Sequence, residues 1–248
     1  MRPPTQEASM PSADATPSAF TDALEVFYAP SEVFERRKLD PAFGLPLIIL
    51  ALGIGILFFA SRSAMDPIFD AEFKRGFAAA MKQNPQLTSE MEAQARETSR
   101  KFVPVFVIGY AFFAPFLVGF FLWLAGKLVG AKQELAAACM VATFALYPRI
   151  LEGIVNALQA LLLPEDSLIG RYSVTLGLGR FFNPDTANPL LLALIGRIDV
   201  FTIWVTVLLA IGLSITGKIP RTQAALAAAI VWLLGALLPV LGAIRAMG

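Results

Sequence analysis

The chain has 248 residues, of which 56% are hydrophobic and 16% charged, well below the roughly 25% of charged residues in soluble domains. It contains one cysteine, Cys139, and no histidine, which excludes a Ser-His-Asp triad, a Cys-His pair, a histidine-ligated zinc site and an internal disulfide. The balance of 20 Lys and Arg against 19 Asp and Glu shows no basic excess of the kind that marks nucleic-acid binding.

The N-terminal part of the chain is predicted to contain a tail and a helical segment. Residues 1–18 are rich in Pro, Ser, Ala and Thr and lack an apolar run, which is typical of a disordered tail and not of a signal peptide. Residues 19–40 form an amphipathic segment, in which Pro30 begins a second short helix. This segment suits either the membrane interface, with residues 36–38 facing lipid headgroups, or a solvated helix ahead of the first span.

Long charge-free runs predict the membrane-spanning helices. Four of them have 18 to 25 residues, the length that crosses a bilayer at 1.5 Å per residue. A fifth candidate contains Arg149 and Glu152, and its two uncharged halves are too short to cross unless they join at a kink near Pro148. The predicted spans are residues 41–61, 102–126, 135–164, 200–217 and 222–244. We therefore expect an all-α integral membrane protein, a bundle of five transmembrane helices with amphipathic flanking helices, whose membrane domain covers residues 41–247.

Two connections between the spans are long. Residues 62–101 carry seven basic and six acidic side chains and predict a solvated hairpin, with one helix over 66–82 and another that begins at Ser89. In the connection 165–199, Asn188 and Pro189 predict the start of a short apolar helix that ends near Ile195. A helix of this length cannot span a membrane, so it suits an interfacial or re-entrant position.

Several segments together resemble the Yip domain, the family of Ypt-interacting proteins. They are residues 24–34 (LEVFYAPSEVF), residues 198–204 (IDVFTIW) with Gly212 and Leu213, and residues 222–225 (TQAA). The resemblance covers nearly the whole chain outside the tail and implies five spans and a cytosolic N-terminus. It departs from the eukaryotic pattern, since no Asp-Leu-Tyr-Gly-Pro element precedes the first span, so GTPase binding is not carried over. The resemblance is to bacterial-type members, which implies an inner (cytoplasmic) membrane.

The Lys and Arg residues of the chain give two opposing indications about its orientation in the membrane. With the N-terminus inside, eight Lys and Arg residues lie on inner segments and eleven on outer ones, which favours the opposite topology. The densest cluster, residues 36–38, adjoins the first span, and the first helix usually dominates. We therefore expect a cytoplasmic N-terminus.

Ionisable groups inside spans are costly and are candidates for function. Arg149 and Glu152 are three residues apart and share one helical face. They suit either a polar pocket or ion pathway, or an internal ion pair that locks a broken helix. Asp199 opens the fourth span, where it suits a helix cap, a partner of Arg149 or Arg197, or a binding group for substrate or protons. The candidate intramembrane polar site is Tyr147, Arg149, Glu152, Asn156 and Asp199.

No catalytic, cofactor or metal site is predicted. An intramembrane aspartyl enzyme would need a pair of acids such as Glu152 and Asp199, and no glycine-rich motif flanks either one. The favoured hypothesis is a non-catalytic protein that organises the bilayer, other membrane proteins or further copies of itself. The alternative is a small transporter or channel with a polar path near the kinked third span. A water-reachable cavity at Glu152 would favour transport, and a dry contact between Arg149 and Glu152 would favour the organising role.

Overall fold

Helices make up the fold of residues 18–247, the part of the chain that this computed structural model describes. This part contains ten α-helices, three short 3-10 turns between α6 and α7, and no β-strand. The α-helices are α1 (Ala19–Glu25), α2 (Pro30–Arg37), α3 (Gly44–Gln83), α4 (Ser89–Leu128), α5 (Leu135–Ala145), α6 (Pro148–Leu162), α7 (Pro189–Ile195), α8 (Val200–Gly217), α9 (Arg221–Leu234) and α10 (Leu237–Met247). The predicted tail, residues 1–18, lies outside the described residues except for Ser18, which caps α1.

Five helical segments are long and apolar enough to cross a membrane, which confirms the predicted fold class. They are Gly44–Gln83, Ser89–Leu128, Leu135–Leu162, Val200–Gly217 and Arg221–Arg245. Two of these segments, the third and the fifth, each combine two helices around a break.

The predicted amphipathic segment forms α1 and α2, which pack against the bundle. Val33 and Phe34 of α2 are fully buried, and the Phe34 ring lies 6.5 Å from that of Phe144 in an edge-to-face arrangement. On α1, Asp22 is only 1% exposed and accepts hydrogen bonds from Arg36 at 2.6 Å and from Arg37 at 2.6 Å. Two of the three basic residues predicted to face lipid headgroups are therefore ion-paired to α1.

The first two spans continue without a break into the predicted hairpin. The sequence suggested separate helices on either side of each membrane boundary, whereas α3 and α4 each run for 40 residues. The charged residues that follow the apolar run do not end helix α3. Pro67 within α3 does not interrupt the helix either. Outside the apolar runs, Asp70 pairs with Arg96 and Arg100, which holds α3 and α4 together. Helix α4 begins at Ser89, and the preceding residue, Thr88, is its N-cap. The Thr88 Oγ1 accepts a hydrogen bond from the Met91 amide at 3.3 Å.

The third span is broken where the sequence predicted a kink. α5 ends at Ala145 and α6 begins at Pro148, because proline cannot supply the amide that would bond to the Phe144 carbonyl. That carbonyl accepts the Tyr147 amide instead, at 3.3 Å. The result is a tight turn within the span, and it brings α6 to the neighbouring α3.

Close packing of small residues holds the spans together. A Cβ added to Gly119 of α4 would lie 2.7 Å from the Cys139 backbone of α5, and one added to Gly212 of α8 would lie 2.4 Å from Val141. On α9, Ala224, Ala227 and Ala228 are fully buried. Small side chains at helix contacts allow the backbones to approach closely, which is how membrane helices gain van der Waals contact.

Candidate functional site

Polar side chains from the third span, the start of the fourth span and the connection before it line one cavity of about 300 Å³. We call it the polar cavity, and its charged and amide residues are Arg149, Glu152, Asn156, Arg171, Arg197 and Asp199. It therefore brings together four of the five residues predicted as an intramembrane polar site. Tyr147 lies elsewhere, buried in the core with its hydroxyl donating to the Pro46 carbonyl at 2.9 Å.

Arg149 links two spans and lines the cavity. Its Nη1 lies 2.5 Å from Glu152 Oε2, and its Nη2 donates to Thr202 Oγ1 at 3.2 Å. The first contact confirms the predicted pair within α6, and the second joins α6 to α8. The Arg149 and Glu152 side chains are 28% and 18% exposed, so the pair is partly shielded and still faces the cavity.

Asp199 caps the fourth span, as predicted. Its Oδ1 accepts from the amides of Phe201 at 2.9 Å and Thr202 at 3.2 Å, and a short bridge to Gly177 positions its backbone. The residue is only 4% exposed, and within residues 18–247 its Oδ2 has no hydrogen-bond partner. Neither Arg149 nor Arg197 lies within ion-pair distance of it, so the suggested pairing across helices was wrong.

Arg197 satisfies a carbonyl that the break in the fifth span releases. The Ala236 amide bonds to the Leu233 carbonyl at 2.9 Å and leaves the Trp232 carbonyl to accept from Arg197 Nη2 at 3.0 Å. The guanidinium also lies 5.7 Å from the centre of the Trp232 ring. Burial lowers the pKa of Arg197, and the positive charge of Arg149 lowers it further.

The connection supplies a second arginine at the mouth of the cavity. Arg171 lies 4.8 Å over the Tyr172 ring and donates to its hydroxyl at 3.0 Å. Its backbone amide donates to Glu72 Oε1 of α3 at 2.9 Å, and Arg75 donates to the Ile169 carbonyl at 2.7 Å. The outer part of α3 therefore positions this side of the cavity. No local pattern in the sequence marks Arg171 or Tyr172 for such a site.

The charges of the cavity are only partly matched. Three guanidinium groups face two carboxylates, and among the described ion pairs only Arg149 and Glu152 are partners. Asn156 Oδ1 and Asp199 Oδ2 are buried acceptors that no donor in residues 18–247 reaches. In the same part of the chain, no three Cys, Asp or Glu residues come together as metal ligands. The cavity therefore offers both donors and acceptors to a bound molecule.

Five apolar helical segments with a polar cavity between them define an all-helical integral membrane protein. A family model described as the Yip1 domain matches residues 24–242, from α1 to α10, and the chain belongs to this family. The resemblance seen in three separate segments of the sequence is thereby confirmed. Comparisons with curated proteins and with solved structures find no match.

Proposed function

We propose that this Yip-type membrane protein is not an enzyme and that it organises lipids or other membrane proteins. The observation that carries the proposal is the packed apolar core that adjoins the polar cavity along α8. Beyond Thr202 along α8, the side chains facing the bundle are buried, among them Leu208, Leu209 and Leu213. On the facing helix α5, Met140 and Val141 are also fully buried. Such a bundle suits a scaffold with a binding cavity on one side.

In this proposal, Arg149 and Glu152 hold the scaffold together. We expect Arg149→Ala and Glu152→Ala each to lower the free energy of unfolding by about 2 kcal/mol, because each leaves one charge partly buried without its partner. The double variant should lose less free energy of unfolding than the two single variants together, with a coupling energy of about 1 kcal/mol. The measurement is reversible unfolding in mixed detergent micelles, analysed as a double-mutant cycle.

A matched control for this cycle is available on α4. Glu97 and Lys101 form an ion pair at 2.7 Å with side chains 71% and 70% exposed, and exposed pairs contribute little to stability. Their alanine variants should therefore leave unfolding unchanged. A double variant of Arg149 and Glu152 that unfolds like the wild type but has lost a transport phenotype would contradict the organising role.

One observation favours a second candidate, a small transporter. The cavity reaches Glu152 and Asn156, and an accessible cavity at Glu152 is what the transport hypothesis requires. The short helix α7 would then act as a half-helix beside the path. Flux of ions and small metabolites into liposomes tests this candidate. Flux above that of empty vesicles, lost in Glu152→Gln, would favour transport, and no flux across the panel would favour the organising role.

We also propose that the protein lies in a bacterial inner membrane with its N-terminus in the cytoplasm. Five spans place the two termini on opposite sides, and the basic residues 36–38 precede the first span. The turn between α3 and α4 would then be outside, and the turn between α4 and α5 would be inside.

Cysteine labelling tests this orientation. The native Cys139 is buried and should give little background, while Gln86 and Lys132 are exposed residues in the two turns. A membrane-impermeant maleimide should label Gln86→Cys in cells with an intact inner membrane, and should label Lys132→Cys only after permeabilisation. The reverse pattern would place the N-terminus outside.

A further inference from the structure

We propose that the polar cavity binds a phosphate ester that carries a primary ammonium group. This is the chemistry of the phosphatidylethanolamine headgroup and of free phosphoethanolamine. The inference names a ligand class within the proposed organising role and rests on that role. Its basis is that Asp199, Arg171 and Arg197 line one cavity and take part in none of the described ion pairs.

The ammonium group is assigned to Asp199. Asp199 lines the cavity, and its Oδ1 accepts the hydrogen bonds that cap α8, whereas its Oδ2 is buried and has no partner in the described chain. A buried carboxylate oxygen without a donor is costly, so a native structure normally supplies one. Asn156 Oδ1 is a second buried acceptor in the same cavity with no donor. A primary ammonium group has three N–H donors, so it offers a donor to Asp199 and further donors for a neighbouring acceptor such as Asn156.

The phosphate is assigned to the arginines. Arg197 and Arg171 have no acidic partner among the described ion pairs, and each uses its guanidinium only on neutral groups, the Trp232 carbonyl and the Tyr172 hydroxyl. Arg197 Nε is also buried without an acceptor. Guanidinium groups bind phosphate oxygens strongly because their planar array of donors matches the anion. Arg149 is a poorer candidate, since Glu152 and Thr202 already occupy it.

The size and position of the cavity suit a headgroup. A volume of about 300 Å³ is at the lower end for ligand pockets, so the cavity accommodates a headgroup and not the acyl chains. Asp199 directly precedes the first residue of the fourth span, and Arg197 lies two residues before it in the chain. Lipid headgroups occupy the level at which spans begin and end.

The experiment compares lipids that share the phosphate and differ in the amine. The full-length protein in detergent is titrated with short-chain phosphatidylethanolamine, phosphatidylcholine and phosphatidylglycerol. The change in tryptophan fluorescence is followed, since Trp232 contacts Arg197. We expect phosphatidylethanolamine to bind about tenfold more tightly than the other two, because a quaternary amine has no N–H donor and glycerol has no charge. Equal affinity for phosphatidylethanolamine and phosphatidylcholine would overturn the proposal.

Two variants separate the two halves of the site. Asp199→Asn keeps an oxygen for the helix cap and removes the charge, so the preference for phosphatidylethanolamine should fall to about twofold. Arg171→Gln at the exposed mouth should weaken all three lipids by a similar factor, since they share the phosphate. Asp40→Asn and Arg221→Gln, exposed residues outside the cavity, are the matched controls and should bind like the wild type.

Competition identifies the source of the ligand. Free phosphoethanolamine that displaces the lipid at similar concentration indicates a soluble ligand, and binding of the lipid alone indicates the bilayer; both outcomes support the assigned chemistry. If Asp199→Asn folds and keeps the full preference, or if Arg171→Gln binds all lipids normally, the assignment is wrong. These binding results are independent of the unfolding cycle of Arg149 and Glu152, so failure of this site and failure of the organising role are distinguishable.

Discussion

Replacing Gly119 by alanine is expected to destabilise the bundle by about 2 kcal/mol, because added groups in a well-packed core force the structure to shift. The new Cβ would lie 2.7 Å from the Cys139 Cα and 2.9 Å from its amide nitrogen. Both are backbone atoms, so no side-chain rotation can relieve the clash. α4 and α5 would have to separate at this contact.

The single cysteine provides the measurement for this prediction. Cys139 is buried in the wild type, so a maleimide reaches its thiol only when the helices open. A loss of about 2 kcal/mol corresponds to about a thirtyfold faster labelling rate when opening limits access. Gly109→Ala is the matched control on the same helix, since its Cβ would meet no atom within 4 Å. Equal labelling rates of Cys139 in the two variants would show that α4 and α5 accommodate the added methyl group without loss of stability.

Replacing Phe34 by alanine is expected to have a still larger effect, a loss of about 3 kcal/mol. The ring is fully buried, stands edge-to-face to Phe144 and lies against Gly212. Its removal leaves a cavity between α2, α5 and α8. The ion pairs of Asp22 would still join α1 to α2, so we expect the two helices to detach from the bundle together.

Two readouts distinguish detachment from general unfolding. Phe27 packs edge-to-face on Trp204 at 5.7 Å, so detachment should change tryptophan fluorescence before the spans unfold in detergent. Limited proteolysis should then cut after Arg36 or Arg37 more readily. Phe20→Ala on α1 is the control, because that ring is 62% exposed. If Phe34→Ala melts like the control, α2 contributes little to the bundle.

The elements that could be predicted are those that depend on neighbouring residues in the chain. The five spans follow from local hydropathy, and the caps at Asn188 and Asp199 follow from the residue type at a helix start. The pair of Arg149 and Glu152 follows from their spacing on one helix. Each of these features involves only one segment of the chain, so the local sequence is sufficient to predict it.

The features that escaped prediction require two or more segments at once. The sequence predicted a helix over 66–82 but not that it continues the first span. Asp70 pairs with Arg96 and Arg100 on α4, and that pairing is not visible in either helix alone. The break between Leu234 and Leu237 in the fifth span was also not predicted. The cavity needs Arg171 and Arg197 from a connection whose path depends on α3 and α9.

The unbroken course of α3 has a mechanical consequence. At 1.5 Å per residue its 40 residues make a rod of about 60 Å, which begins inside the membrane domain, supports the Arg171 backbone through Glu72 and contacts the Arg245 carbonyl through Gln83. A tilt of about 5° at the membrane end moves the far end by roughly 5 Å. The first span and the support of the Arg171 backbone therefore belong to one continuous helix, so a change in the tilt of this span is expected to move that side of the polar cavity.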